Sequence, residues 1–271
     1  MELAVTTDLL IEGRHFSPGA DARKLGHKAL AVNLSDLAAC GATPRWIVLA
    51  IALPAADEAW LGAFSSGLFA LAERHRVELI GGDTTRGPLA IDITAMGEVP
   101  AGRALSRAGA RPGDDIWVSG SLGGAALALA RPGIAEAERR LHEPEPRVAL
   151  GEHLRGLASA AIDVSDGLAG DLAHILERSG VGAVVRYAQV PKDPSFASVK
   201  DPDLEASCVL SGGDDYELLF TAPGQHRAAL ETLLPDLTLS RIGEIVAAGG
   251  LRILDEKGRP MAHRGGFDHF S

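Results

Sequence analysis

The sequence has 271 residues, 46% hydrophobic and 23% charged, a folded composition that excludes extensive disorder and suits one large domain or two ordinary ones. A formal net charge of −10 argues against general nucleic-acid binding, and two cysteines, Cys40 and Cys208, exclude a disulfide framework. No apolar run approaches the roughly 18 residues of a membrane span and no secretory signal opens the chain, so a cytoplasmic location is expected. In chain order, residues 3–11 read as a strand that starts abruptly, with no lead-in, and 45–53 as a buried strand. Pro54 and Asp57 open a helix whose Trp60, Phe64, Leu68 and Leu71 share one face. Strands follow at 78–80 and 89–99. The Gly-, Pro- and Asp-rich stretch 108–115 breaks the pattern, and we expect a domain junction there, dividing residues 1–110 from 111–271.

Beyond the junction a strand at 116–119 precedes a helix near 122–130, and 131–147 reads as a polar surface segment. A helix at 148–160, a strand at 161–164, a helix at 167–179 and a strand at 182–187 come next. Residues 189–206 read as a polar connection. A Gly-rich acidic loop then feeds a strand within 209–221, followed by a helix at 224–234 and strands at 240–246 and 251–254. This alternation places the chain in the α/β (α+β) class.

Aspartates recur beside Gly, Ser or Thr at expected strand ends: Asp8, Asp36, Asp83, Asp163 with Asp166, and Asp214 with Asp215. Ser35-Asp36 echoes Ser165-Asp166, each ahead of small residues, which is expected to set both aspartates at helix starts. Gathered carboxylates need a cation between them, and oxygen-only ligands with neighbouring hydroxyls suit Mg²⁺. Adjacent glycines let backbone amides approach a polyphosphate, so the set suits phosphoryl transfer. Ordinary turn and helix-cap chemistry explains the same pattern. Spacing alone leaves both readings open. No G-x-x-x-x-G-K-[ST] loop, H-E-x-x-H helix or G-x-S-x-G elbow is present. The glycines of Gly120-Ser121-Leu122-Gly123-Gly124 are better explained by close strand–helix packing than by a dinucleotide site.

Six blocks are more specific: residues 6–16, from Thr6-Thr7-Asp8 to Phe16; 27–39, HKALAVNLSDLAA; 81–88, GGDTTRGP; 106–114, SRAGARPGD; 162–168, IDVSDGL; and 211–220, SGGDDYELLF. With the terminal Gly266-Phe267-Asp268-His269-Phe270 they follow one order from end to end, and the chain resembles the thiamine-monophosphate kinase family. The resemblance implies the two-domain fold shared with aminoimidazole ribonucleotide synthetase, selenophosphate synthetase and a hydrogenase maturation factor. It implies an N-terminal domain, 1–110, that binds ATP and Mg²⁺ and pairs in a homodimer, and a C-terminal α/β domain, 111–271. The implied reaction is direct transfer of a phosphoryl group from ATP to thiamine monophosphate with several Mg²⁺ ions. Thr6, Thr7, Asp8, Asp36, Asp83, Asp163 and Asp166 are the implied metal ligands, with Asp36 and Asp83 the most critical. Gly82, Asp83, Arg107 and Ser165 are implied to touch ATP, and His15, Asp214 and Phe267 the thiamine substrate.

These roles fit elementary chemistry. The acceptor is already a phosphate, ionised near neutral pH, so no strong general base is required. Arg107 can grip phosphate oxygens through two donors, and Asp214 and Phe267 offer a charge and a π-face to a cationic thiazolium. The family's Gly-Asp-Asp segment, which precedes the Thr-Thr-Asp strand and adds metal ligands, has no counterpart ahead of Thr6. Another ATP-using enzyme of the same superfamily, and a non-catalytic nucleotide- or metal-binding protein, are the competing expectations.

Overall fold

Two sheets organise the chain, which a computed structural model describes over residues 1–263. The first joins β1 (Glu2–Ile11), β2 (Thr43–Leu53), β3 (Glu78–Arg86) and β4 (Ala90–Val99) in the order β1-β4-β2-β3. β4 is antiparallel to β1 and β2, and β3 is parallel to β2. A parallel pair needs a long crossover, here helix α2 (Glu58–His75). Asp57 caps α2 by accepting from the N–H groups of Ala59 and Trp60, and Phe64, Leu68 and Leu71 are buried, as their spacing predicts. β3 runs well past the expected 78–80, because Gly81–Arg86 continue the ladder with β2.

Helix α1 (Ala22–Ala39) has no counterpart in the sequence reading. It lies under the first sheet and packs against α2 and the second half of the chain, with 13 of its 18 residues buried. A helix buried all round shows no polar face, so the 3.6-residue period is lost. Two glycines allow α1 and α2 to touch. A Cβ on Gly67 would lie 1.8 Å from the Arg23 carbonyl oxygen, and one on Gly26 2.0 Å from that of Phe64.

The second sheet joins β5 (Asp114–Ser119), β6 (Ala160–Asp163), β7 (Gly182–Arg186), β8 (Leu218–Pro223), β9 (Leu239–Val246) and β10 (Gly250–Leu254) in the order β10-β7-β9-β5-β8-β6. Its helices are α3 (Gly124–Ala130), α4 (Ala135–His142), α5 (Val148–Leu154), α6 (Leu168–Ser179), α7 (Pro202–Ser211) and α8 (Arg227–Leu230). The expected surface segment 131–147 thus holds α4, which buries Ala137 and Leu141 despite its charge. The connection 189–206 runs into α7, where Asp201 caps the start and Pro202 takes a first-turn position.

Strands β5, β6 and β8 are buried on both faces. Alternate residues divide between two cores, as a period of two requires. Trp117, Ala161, Leu218 and Phe220 join the core built on α1 and the first sheet. Ile116, Val118, Ile162 and Leu219 join a second core with α3, α6 and α7. The second sheet is therefore a wall shared by both halves, with Trp117 and Phe220 stacked at 6.5 Å between ring centroids.

Candidate active site

β1 alternates its side chains, and the alternation splits the Thr-Thr-Asp block. Thr6 and Asp8 face α1, where the Thr6 hydroxyl donates to Asp36 Oδ2. Thr7 turns to the outer face, with its hydroxyl 3.4 Å from Asp92 Oδ1 and 3.1 Å from that of Thr94. Asp36 lies in the last turn of α1, so the expected helix start is corrected there: the Ser-Asp pair ends a helix instead of opening one. Asp8 and Asp83 are also inside strands, not at strand ends.

Asp163 ends β6 and is buried; its Oδ2 accepts from the Ser35 hydroxyl at 2.7 Å. Burial, then repulsion from Asp36, push its carboxyl up to about 8, with Asp8 and Asp171 adding to the repulsion. Burial, then Asp36 and Asp92, push Asp8 up to about 7. Burial also raises Asp36, against the Thr6 hydroxyl and the Arg107 guanidinium. Asp8, Asp36 and Asp163 therefore share one field between the two sheets, with Arg107 close enough to act on it. Among the described residues, no three His, Cys, Asp or Glu side chains already form a group that could hold a metal ion.

The 163–166 and 213–217 segments are zipped together. Asp214 N–H donates to the Ser165 carbonyl at 2.9 Å, and Tyr216 N–H to that of Val164 at 2.8 Å. A Cβ on Gly213 would lie 2.2 Å from the Ser165 oxygen, so only glycine permits this approach. Asp171, in the first turn of α6, accepts from the N–H groups of Ser165 and Asp166 at 3.1 and 3.0 Å. Burial, with Asp166 adding repulsion against these N–H donors, pushes Asp171 up to about 7. The sequence reading missed this residue, although a carboxylate in a first helical turn reaching back is a recognisable capping signal. Tyr216, also missed, donates its hydroxyl to Asp214 Oδ1 at 2.8 Å. Burial and Asp214, with Asp8 and Asp163 contributing, hold its phenol well above the usual range. Asp8, Asp163, Asp214 and Tyr216 thus lie in one electrostatic neighbourhood.

Other expected site residues lie elsewhere. Register places Asp83 in a row with Ala50, Asp92 and Leu9. It is on the exposed edge strand β3, with Gly82, three strands or about 14 Å from β1. His15 follows β1 in a turn, half-buried, and its Nδ1 accepts from Ile11 N–H at 3.0 Å. Phe267 lies outside the described residues.

The fold and site define a class. Residues 1–99 match the AIR synthase related protein, N-terminal domain, and residues 111–256 match the C-terminal domain of the same description. A thiamine-monophosphate kinase from Salmonella typhimurium is 46% identical, over 99% of this chain and 87% of its own length. The crystal structure of a thiamine-monophosphate kinase from Stenotrophomonas maltophilia K279a has a TM-score of 0.91 at 47% identity, covering 96% of this chain and 86% of that one. A second structure, AaThiL complexed with AMPPCP and TMP, has a TM-score of 0.86 at 31% identity, over 99% of this chain and 87% of that one. The chain belongs to the thiamine-monophosphate kinases, within the AIR synthase-related proteins.

Proposed function

We infer that the chain catalyses ATP-dependent phosphorylation of thiamine monophosphate to thiamine diphosphate. The observation that carries this is the group of buried, mutually repelling carboxylates Asp8, Asp36 and Asp163, in a chain whose relatives over nearly its full length are thiamine-monophosphate kinases. The donor set fits Mg²⁺. It is all oxygen, with the Thr6 and Ser35 hydroxyls beside it, and its carboxyls are raised by burial and by one another, which a hard cation relieves. Asp8, Asp36, Asp163 and Asp166, with Thr6, would hold it; Thr7, turned to the outer face of the sheet, is set apart from them. When bound, it supplies charge neutralisation for the polyphosphate.

The chain's own residues supply position. Arg107 would pair with phosphate oxygens, and Ser165 would border the nucleotide at a loop fixed by Asp171. Asp214 would face the thiazolium, with His15 and Phe267 as further substrate contacts. The acceptor phosphate oxygen is ionised, so no side chain has to remove a proton from it. Holding two anions in line is the remaining task.

A homodimer would complete the site. The outer face of the first sheet exposes Leu3, Val5 and Leu9 on β1 and Ile80 on β3, an apolar strip of the kind that pairs with a second copy. β1 and β3 are the free edges of this sheet. A second copy laid on this face would carry its own Gly82 and Asp83 toward Thr7. Among the described residues no helix is long and apolar enough to cross a membrane, and the free Cys40 and Cys208 support a reducing, cytoplasmic setting.

The test is ADP formation with Mg²⁺ and each candidate acceptor. Production that requires thiamine monophosphate and is abolished by Asp36→Asn, with the fold retained, is the expected result. Turnover indifferent to Asp36→Asn would remove the site. ATP binding without any product would identify a non-catalytic nucleotide binder.

A further inference from the structure

Lys28 has no role in the site as built so far. It lies in the second turn of α1 with only 4% of its side chain exposed, and its ammonium meets Asp214 Oδ2 at 3.0 Å. A buried ammonium is costly unless it is paired. Asp214 is thus its counterion, yet it belongs to the other half of the chain.

The Asp214 backbone sits at φ +66°, in the left-handed region that favours glycine, and Tyr216 follows at +51°. Such strained backbone persists only where surrounding contacts fix it. Here the Ser165 and Val164 carbonyls hold the two backbone N–H groups. The carboxylate is fixed at both oxygens: the Tyr216 hydroxyl donates to Oδ1 at 2.8 Å, and Lys28 donates to Oδ2 at 3.0 Å. The Asp214 side chain still keeps 29% exposure, so it presents a defined, charged edge to solvent. One donor comes from its own loop. The other comes from the helix that also carries Ser35 and Asp36, so the substrate carboxylate is set by the same rigid element as the metal carboxylates.

We propose that Lys28 is a positioning residue for the thiamine substrate: acting through Asp214, it fixes the carboxylate that meets the thiazolium. This rests on the thiamine-phosphate reading. Loss of a tie that merely joins the two halves lowers stability and leaves both Michaelis constants alone. A positioning residue acts on one substrate selectively.

The experiment is steady-state kinetics of the full chain, varying thiamine monophosphate and ATP separately, for the wild type, Lys28→Met, Lys28→Arg, Asp214→Asn and the Lys28→Met/Asp214→Asn double variant. Loss of a hydrogen bond to a charged group predicts a rise of roughly 10- to 100-fold in KM for thiamine monophosphate in Lys28→Met. KM for ATP and kcat stay within about twofold, as for loss of uniform binding. Lys28→Arg, which keeps the charge, recovers part of the loss. The double variant is no worse than Asp214→Asn alone, because Lys28 acts through that residue. A folded Lys28→Met with unchanged KM for thiamine monophosphate, an equal rise for both substrates, or multiplying losses in the double variant overturns the proposal. Should Lys28→Met fail to fold, Lys28→Arg is judged by the same selectivity. A wild type without turnover on thiamine monophosphate removes the underlying reading itself, a result distinct from all of these.

Discussion

Replacing Glu217 with glutamine removes one charge and almost no volume from the centre of the second domain. Glu217 is fully buried and accepts from Arg147 at 2.5 and 2.6 Å, Arg140 at 2.8 Å and the Ser119 hydroxyl at 2.5 Å. The two arginine side chains are only 11% and 16% exposed, so water cannot take the carboxylate's place. Breaking a buried pair by removing one partner costs about 3–5 kcal/mol. Arg140 keeps Asp193 at 3.6 Å, which puts the expected loss at the low end, about 3 kcal/mol. At about 2–4 °C per kcal/mol for a chain of this size, Tm falls by roughly 6–12 °C. Calorimetry or circular dichroism at pH 7 reads the shift directly. The pH dependence adds a sign. Burial works to raise the Glu217 carboxyl, but Arg147 and Arg140 overcome it and hold it below its ordinary 4.5. A depressed carboxylate contributes stability that is present above that value and lost as pH falls through the folded one. The gap between wild type and Glu217→Gln therefore closes in acid. A drop in Tm below about 2 °C, or a gap that stays constant as pH falls from about 5 to about 3, would refute the reasoning.

Three further outcomes are expected. Asp8 and Asp163 are raised to about 7 and about 8, so the folded chain binds protons more tightly than the unfolded one and loses stability as pH rises toward 8. Mg²⁺ competes with those protons, so its addition raises Tm more at pH 8 than at pH 6; equal gains would contradict the assignment. Asp215 is raised to about 8, chiefly by burial, with Gly123 N–H and Arg140 opposing. Asp215→Asn keeps an acceptor for Gly123 and removes the cost of ionisation, so the variant gains on wild type from pH 5 to 8.5, and parallel melting curves would argue otherwise. On the outer sheet face, Val5→Arg places a charge in the exposed apolar strip. Light scattering should then report a monomer with little change in Tm, and an undisturbed dimer would move the interface elsewhere.

How far the sequence carried the fold depended on how each element is buried. Helix α2 is one-sided, and Phe64, Leu68 and Leu71 announced it. Helix α1 is buried nearly all round and gave no period, although it holds Lys28, Ser35 and Asp36. Strand β3 was cut short because Gly81-Gly82-Asp83 reads as a turn, yet its edge position tolerates glycine. For the site, the recurring aspartates pointed to the chemistry, and the order of the blocks pointed to the family. Neither indicated that alternation along β1 turns Thr7 away from Thr6 and Asp8, nor that Asp83 lies on the far edge. Asp171 and Tyr216 escaped notice because their value is geometric: they fix loops whose shape is set by long-range packing.

The shared sheet also bears on how this chain can be divided. Severing it near residue 110 would strip Trp117, Leu218 and Phe220 of the core they pack into, and leave α1 without its cover. Neither fragment would be a self-sufficient module. Domain-swap chimeras would have to carry α1 together with the sheet it packs against. The same continuity disfavours wide hinge opening during turnover, since parting the halves would wet a single apolar interior. Cooperative unfolding of the whole chain in one transition is the corresponding thermodynamic signature.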